Sequence, residues 1–421
     1  MWRPAVIVIG AGAAGLTAAR ALSRSGVAVQ ILEARQRIGG RIHTLNDPLS
    51  PVPVELGAEF IHGKPPEIFD EVASGRLAVL EVEAEAHWAA EEQAQDSDGD
   101  PLAALMPALE AAPEQSFAEF IEHAGVSADA RSWVTRYVEG FNAARAERIS
   151  VQGLVRMEKA ADAIEGHRSF RLSRGYGALT EWLWTGMDHA LVRMRFGAAV
   201  ERVTWRRGRV EVQSSAGNFE APRAVVTVPL GVLKAGAVAF DPFPKVLGDA
   251  LAGIEMGHAI RMVLRFRRPV WEDRAEFSNL GFLFSKDCWM PTWWTTLPVR
   301  SPVITGWMAG RRAEEREDCE PSHWLAEALS TLGRLLGTSA AELAGELEGW
   351  RTHNWRDDPF ARGAYSYPRA GGLEARRRLG EPIEETLYFA GEATNSDGHE
   401  GTVHGAIATG TRAARQILQA G

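Results

Sequence analysis

The feature that most constrains this chain is a glycine-rich turn that joins a short apolar run to a helix-like segment near the first residue. The run from Ala5 to Ile9 is apolar and β-rich, and residues 13–25 carry apolar and small side chains at helical spacing. Gly26 ends that segment, and residues 27–32 are typical of a second buried strand. A strand, a helix and a strand within about 30 residues make a βαβ unit. The chain is therefore predicted to have an α/β fold.

The turn carries Gly10, Gly12 and Gly15 in the spacing G-x-G-x-x-G. The first glycine permits the tight bend, the second lets a diphosphate approach the backbone, and the third lets the helix pack on the strand. Free N–H groups at the start of the helix then face the phosphates. Glu33 ends the second strand, where a carboxylate accepts hydrogen bonds from a ribose. The pattern predicts a dinucleotide site without a 2′-phosphate, and by itself it leaves NAD and FAD open.

Length and composition narrow the class of protein. A chain of 421 residues predicts two domains. The formal net charge is −9, with Lys and Arg spread along the chain, so no nucleic-acid partner is expected. Cys288 and Cys319 give neither a disulfide framework nor metal-site spacing. Met1 leads almost directly into a strand, and no apolar run approaches the roughly 20 residues that span a bilayer. We expect a soluble, cytoplasmic protein without a membrane partner. The sequence does not indicate its oligomeric state.

Strand patterns recur near both ends and in the middle of the chain, which predicts one domain built from separate segments. Residues 66–190 are mostly helical in pattern, with a polar loop at 91–100. Strands are expected at 259–266 and 302–309, and a helix at 322–349. The predicted dinucleotide domain comprises residues 1–65, 195–240 and 345–421. The predicted second domain comprises residues 66–194 and 241–344.

Further segments resemble the flavin-containing amine oxidases, which include monoamine oxidases, polyamine oxidases and lysine-specific histone demethylases. These segments are residues 33–41, 55–63, 226–233, 355–365, 387–392 and 402–406. The resemblance implies a Rossmann-like FAD-binding domain with a second, α+β substrate domain. It also implies oxidation of an amine, for which a polyamine is one candidate, by hydride transfer to flavin N5. The imine would then hydrolyse, and O2 is the acceptor that the resemblance suggests.

The resemblance also implies contacts with the cofactor. Arg35 and Arg41 would pair with the diphosphate, and Val200 would hold the adenine through its backbone. Glu392 would accept a hydrogen bond from the flavin's sugar-alcohol chain, and the helix that starts at Thr402 would direct its dipole at the pyrimidine ring. The predicted cofactor-binding residues are Gly10, Gly12, Gly15, Glu33, Ala34, Arg35, Gly40, Arg41, Gly57, Ala58, Glu59, Val200, Trp355, Phe360, Tyr365, Gly391, Glu392, Thr402 and Val403. For Glu59, a solvated loop carboxylate is the alternative.

Three positions depart from the family pattern. Arg261 stands where many members carry a lysine that holds a water beside flavin N5, and an arginine cannot serve as a base. Oxygen reactivity is therefore in question, unless Arg261 is a residue of the strand surface. Ala364 stands where monoamine oxidases attach FAD through a cysteine, so FAD is expected to bind without a covalent link. Tyr365 matches one tyrosine of the monoamine oxidase pair and Thr402 replaces the other. Arg261, Tyr365 and Trp355 are the predicted catalytic residues.

The substrate pocket is less determined by the sequence. Its predicted residues are His62, Trp293, Trp294, His399 and Thr402. The two adjacent indoles point to opposite faces of a strand, so at most one can line a pocket, and burial of both in a core is the alternative. His399 could instead stabilise the loop before the last helix. Three other functions remain open: an L-amino-acid oxidase whose Arg261 holds the substrate carboxylate, a flavin desaturase or dehydrogenase, and a non-catalytic flavoprotein.

Overall fold

A computed structural model of the chain describes residues 2–83, 85–88, 102–316 and 318–420. The polar loop predicted at residues 91–100 lies outside the described residues. No described helix is both long and apolar enough to cross a lipid bilayer.

The described residues form 22 strands and 14 α-helices. The strands are β1 Val6–Ile9, β2 Val29–Leu32, β3 Thr44–Leu45, β4 Val54–Glu55, β5 Ile61–His62, β6 Val79–Glu81, β7 Glu85–Trp88, β8 Ser169–Leu172, β9 Val192–Arg195, β10 Val200–Arg206, β11 Arg209–Ser214, β12 Gly217–Ala221, β13 Arg223–Val226, β14 Ala239–Asp241, β15 Ile254–Met256, β16 Ala259–Phe266, β17 Leu280–Phe284, β18 Thr292–Thr295, β19 Val303–Ala309, β20 Leu347–Arg351, β21 Ser366–Pro368 and β22 Leu387–Phe389. The helices are α1 Ala13–Arg24, α2 Pro66–Gly75, α3 Met106–Ala111, α4 Phe117–His123, α5 Ala128–Asn142, α6 Val151–Ala163, α7 Gly177–Thr185, α8 Leu230–Lys234, α9 Lys245–Gly253, α10 Arg311–Glu314, α11 Pro321–Leu336, α12 Ala340–Glu346, α13 Leu373–Leu379 and α14 Val403–Gln419.

A parallel sheet in the order β22-β13-β1-β2-β9 forms the centre of the first domain. Both of its faces are covered. Val6 and Val8 pack into a core with α1, α7 and α14, whereas Ile7 and Ile9 pack into a second core with the sheet β12-β11-β10-β14. A strand covered on both faces is apolar at successive positions, which explains the unbroken apolar run at β1. The predicted α/β class is confirmed.

The second domain is built on a mixed sheet in the order β20-β16-β19-β18-β17-β7. Helix α11 covers one face, where Trp324 and Leu332 pack against Met262 and Leu264 of β16. Helices α3 to α6 form a separate core of their own. The other face of the mixed sheet turns toward the parallel sheet, and the space between the two contains the cavity described below.

The sheets divide the chain differently from the predicted domain boundaries. The boundary between residues 194 and 195 cuts through β9, which pairs along its whole length with β2. Strand β20, assigned by sequence to the dinucleotide domain, pairs instead with β16 of the mixed sheet. Both are short edge strands of four or five residues that carry charged side chains. Such strands contain no local signal for the sheet that they join, because tertiary packing decides their partner.

Candidate active site

A cavity of about 1280 Å³ runs between the two domains. Its cofactor half is lined by the glycine turn and by Glu33, Val200 and Glu392. Its substrate half is lined by Glu59, Phe60 and His62, by α5 and α10, and by side chains of β16 to β19. Of the predicted cofactor-binding residues, all except Gly15 line this cavity.

The glycine turn has the backbone that the spacing predicts. Gly10 has φ +105°, a conformation that side chains other than glycine rarely adopt. A Cβ added to Gly15 would lie 2.0 Å from the carbonyl oxygen of Gly10, so only glycine lets α1 approach β1 this closely. Gly15 thus acts through packing behind the cavity. Helix α1 begins at Ala13 and presents its first N–H groups to the cavity, which suits an anionic diphosphate.

Charged side chains of the cofactor half already have partners within the protein. Glu33 accepts hydrogen bonds from the backbone N–H of Ala11 at 2.7 Å and of Arg35 at 2.9 Å. The Arg35 guanidinium pairs with Asp358 at 2.6 Å and lies over the Phe360 ring. The predicted pairing of Arg35 with a diphosphate therefore remains a prediction, for which Asp358 would hold the guanidinium in place.

Arg41 and Glu392 form an ion pair in the cofactor half, and both contact the segment that leads into β21. Arg41 donates to Glu392 at 2.9 Å and to the carbonyl oxygen of Ala364 at 2.8 Å. Burial by itself would raise the pKa of Glu392, but Arg41 and the Ser366 hydroxyl hold that pKa below its ordinary value. The second carboxylate oxygen also accepts from the N–H of Gly401 at 3.0 Å. Glu392 is thus an ionised carboxylate that fixes the loop before α14.

The two halves of the cavity meet at Tyr365 and Thr402. The Tyr365 hydroxyl donates to the carbonyl oxygen of Phe141 at 2.7 Å, and burial raises its pKa. Thr402 caps α14, since its side chain accepts from the N–H of Gly405 at 2.9 Å. Trp355 is buried and donates to the carbonyl oxygen of Leu56 at 2.7 Å. All three predicted residues line the cavity.

A cluster of buried charges lines the inner end of the substrate half. Glu59 lies 3.0 Å from the Arg171 guanidinium and 3.3 Å from that of Arg261, and both of its oxygens lie 3.1 Å from the Trp294 indole nitrogen. Arg261 also donates to the carbonyl oxygen of Glu55 at 2.9 Å. The alternatives of a solvated Glu59 and a surface Arg261 therefore do not hold. Arg261 lines the cavity, and a buried guanidinium remains protonated because its intrinsic pKa is so high.

Glu55 supports this cluster from behind. It is 8% exposed and accepts from the Thr44 hydroxyl at 2.8 Å and from the Tyr176 N–H at 2.6 Å. Burial raises the pKa of Glu55 to about 7, although these hydrogen bonds and Arg261 oppose the rise. Near neutral pH, Glu55 therefore supplies only part of a negative charge to balance the two guanidiniums.

The adjacent indoles of β18 point to opposite faces of the strand, as the pleat requires. Trp294 lines the cavity. Trp293 does not, which corrects its prediction as a pocket residue. It is 0% exposed, packs on Gly306 in the core beneath the mixed sheet, and donates to the carbonyl oxygen of Met290.

Histidines contribute to the wall of the substrate half. His62 lines the cavity and contacts the rings of Phe60 and Phe141. His399, predicted as a pocket residue, is not among the residues that line the cavity, because it lies behind His404 with their ring nitrogens 3.2 Å apart. His404 lines the cavity in its place, and burial lowers its pKa to about 3.

A sequence profile described as flavin containing amine oxidoreductase matches residues 13–149 and 152–418 of the chain. The chain belongs to the flavin-containing amine oxidoreductase family. Polyamine oxidase 3 of Oryza sativa subsp. japonica is 29% identical, with 98% of this chain and 89% of the relative covered. The lysine-specific histone demethylase 1 homolog 3 of Arabidopsis thaliana is 28% identical, with 98% of this chain and 30% of the relative covered.

Solved structures of amine oxidases share the fold of this family member. Putrescine oxidase bound to putrescine has a TM-score of 0.84 at 19% identity, covering 99% of each chain. Cyclohexylamine oxidase from Brevibacterium oxydans IH-35A has a TM-score of 0.84 at 20% identity, covering 100% of this chain and 99% of that one.

The residues of the cofactor half fit FAD. The N-termini of α1 and α14 both open onto the same cavity, and Glu33 stands at the end of β2. Ala364 offers no thiol for attachment, and Cys288 is buried in the core beneath the mixed sheet. This family member is therefore an FAD-dependent amine oxidoreductase that binds its cofactor non-covalently.

Sequence reasoning missed most of the aromatic wall of the amine oxidoreductase. Trp133, Tyr137 and Phe141 lie at successive i, i+4 positions on α5 and all line the cavity. Their spacing is visible in the sequence, where it indicates one helix face. Phe282, Phe284 and Trp307 come from strands whose faces are assigned only by the register of the mixed sheet.

Proposed function

We propose that this protein oxidises an amine to an imine within the cavity and that O2 is the final electron acceptor. The observation that carries the proposal is that the FAD-binding half and an aromatic-lined half belong to one cavity. FAD held in the cofactor half would supply the acceptor for the hydride of the amine's α C–H, and two electrons would then pass with two protons to O2 to give hydrogen peroxide. The imine then takes up water and yields a carbonyl compound and a free amine.

The protein's contribution is to orient the amine and to exclude water. The rings of Phe60, Trp294 and Trp307 enclose the inner end of the substrate half. Hydride loss requires a neutral amine. The imidazole of His62 lines the same half and can form a hydrogen bond with the nitrogen of the bound amine. Such a group prepares the substrate, while flavin carries the chemistry.

The names of the relatives, polyamine oxidase among them, make amines of several classes worth testing. The test is anaerobic titration of the purified holoprotein with monoamines, polyamines and amino acids, followed by the visible absorbance of oxidised flavin. We expect at least one class to bleach the flavin, and we expect one equivalent of peroxide per flavin when air is admitted.

The outcomes separate the parts of the proposal. If no amine bleaches the flavin, the proposed oxidation is wrong and a non-catalytic flavoprotein is the better description. If bleaching occurs but air restores the colour only over hours and without peroxide, O2 is not the acceptor. A dye such as dichlorophenolindophenol would then report on an alternative acceptor.

A further inference from the structure

Each carboxylate of the substrate half has a cation of the protein near it. The carboxylates that line this half, among the residues described, are Glu59, Glu139, Glu315 and Glu400. Glu59 has two guanidinium partners, and Glu139 lies 3.5 Å from Arg311. One oxygen of Glu400 lies 3.6 Å from Arg376, and the other is buried without a hydrogen-bond partner among the described residues. Glu315 is within electrostatic reach of Arg312. An incoming ammonium therefore meets no carboxylate without a cation beside it.

Several aromatic rings of the cavity wall also have a cation of the protein near them. The Arg261 guanidinium lies 5.3 Å from the Trp294 ring and 5.6 Å from the Trp307 ring. The ammonium of Lys286 lies 5.8 Å from the Trp88 ring and 5.3 Å from the Trp133 ring. A cation over a ring is attracted by the ring's quadrupole, so each of these rings already has a cation of the protein on it.

The inner end of the substrate half has an excess of positive charge. Arg171 and Arg261 share the carboxylate of Glu59, and Glu55 adds only part of a negative charge. Of the two guanidiniums, that of Arg261 lines the cavity and that of Arg171 lies behind it. The Nε atoms of both arginines are buried and make no hydrogen bond within the described part of the chain. A second ammonium on a substrate would add to this excess, whereas a carboxylate would balance it.

We infer that the substrate of this cavity has a single cationic nitrogen and that its other polar group is a carboxylate, with Arg261 as the residue that selects for it. This inference rests on the proposed amine oxidation and narrows its substrate to amines that carry a carboxylate. It separates this protein from its relatives that are named for polyamines.

A matched series of six-carbon amines tests the inference. Hexylamine, 1,6-diaminohexane, 6-aminohexanoate and 2-aminohexanoate share one chain and differ in the second charge. The second-order rate constant for anaerobic flavin reduction should be highest for one of the two aminohexanoates. It should be lowest for 1,6-diaminohexane, by about tenfold or more, since charges a few ångströms apart near a protein surface interact this strongly. Which aminohexanoate is faster shows where the carboxylate is held.

Variants of one strand provide the control. Arg261→Gln should reduce the preference for the aminohexanoate over 1,6-diaminohexane by about tenfold, and Arg261→Lys should keep it because the charge remains. Arg265→Gln removes another arginine of β16, one that pairs with Glu348 at 2.6 Å and does not line the cavity. Its preference should match that of the wild type.

Binding without turnover gives an independent measurement. Hexanoate should perturb the visible spectrum of the flavin and bind about tenfold more tightly than hexyltrimethylammonium. If hexyltrimethylammonium binds more tightly, or 1,6-diaminohexane reduces the flavin fastest, the inference is overturned while amine oxidation stands. If no amine reduces the flavin, the proposed function fails, and the hexanoate titration still decides the charge preference of the cavity.

Discussion

The two halves of the cavity are built by different means. The cofactor half is made largely of backbone: a glycine turn, two helix N-termini and strand ends, contributed by short contiguous segments. The substrate half is made of side chains from distant elements, and its inner end holds a buried cluster of Glu59, Arg171 and Arg261. The first half depends on close backbone approach, and the second depends on balanced charge. The two halves should therefore fail in different ways.

The largest effect is expected at the charge cluster. Glu59→Gln keeps the shape of the side chain but leaves two buried guanidiniums without a carboxylate. Loss of one partner of a buried ion pair costs about 3–5 kcal/mol, which urea denaturation would measure as a lower free energy of unfolding. Glu348→Gln breaks the more exposed pair with Arg265 and should cost at most about 1 kcal/mol. Equal effects would show that the substrate half does not depend on its buried charges.

A pH-dependent effect of intermediate size is expected at Glu55. Because its pKa rises from 4.5 to about 7 on folding, protonated Glu55 favours the folded state. That contribution is complete below pH 4.5 and is lost as the pH rises through about 7. At about 1.4 kcal/mol per pKa unit, the loss is about 3 kcal/mol.

Glu55→Gln should remove this dependence. The free energy of unfolding of the wild type should therefore fall relative to that of the variant between pH 5 and pH 8. Parallel pH profiles for the two proteins would contradict the assignment of the titration to Glu55.

The smallest effect on stability is expected in the cofactor half. Gly15→Ala places a Cβ against the carbonyl oxygen of Gly10 and must displace α1. Overpacking of this kind costs about 1–3 kcal/mol, and we expect a lower ratio of flavin to protein after purification. Gly345→Ala is the matched control, because its added Cβ meets nothing within 4 Å in α12. A Gly15→Ala protein with full flavin content would mean that this half tolerates displaced backbone.

The same contrast explains what the sequence could predict. The βαβ unit and Glu33 were predictable because their pattern lies within a short stretch of sequence, and the segment around Glu392 was predictable from its resemblance to the family. The alternation of Trp293 and Trp294 was predictable from the strand period, but the face that meets the cavity depends on how the mixed sheet packs on α11. The sequence predicted His399 as a pocket residue, whereas the structure places His404 there. The side chain of Thr402 donates to the carbonyl oxygen of His399 and accepts from the N–H of Gly405, and this local geometry decides which of the two imidazoles faces the cavity.

The order of strands in the parallel sheet has a consequence for synthesis of the protein. The sheet places β22, near the end of the chain, beside β13, and α14 packs on α1. During translation, β1 and α1 leave the ribosome long before these partners, so their apolar faces remain uncovered until residues 387–419 emerge. We expect that flavin uptake waits until residues 387–419 have emerged and that the incomplete chain relies on chaperones in the interval.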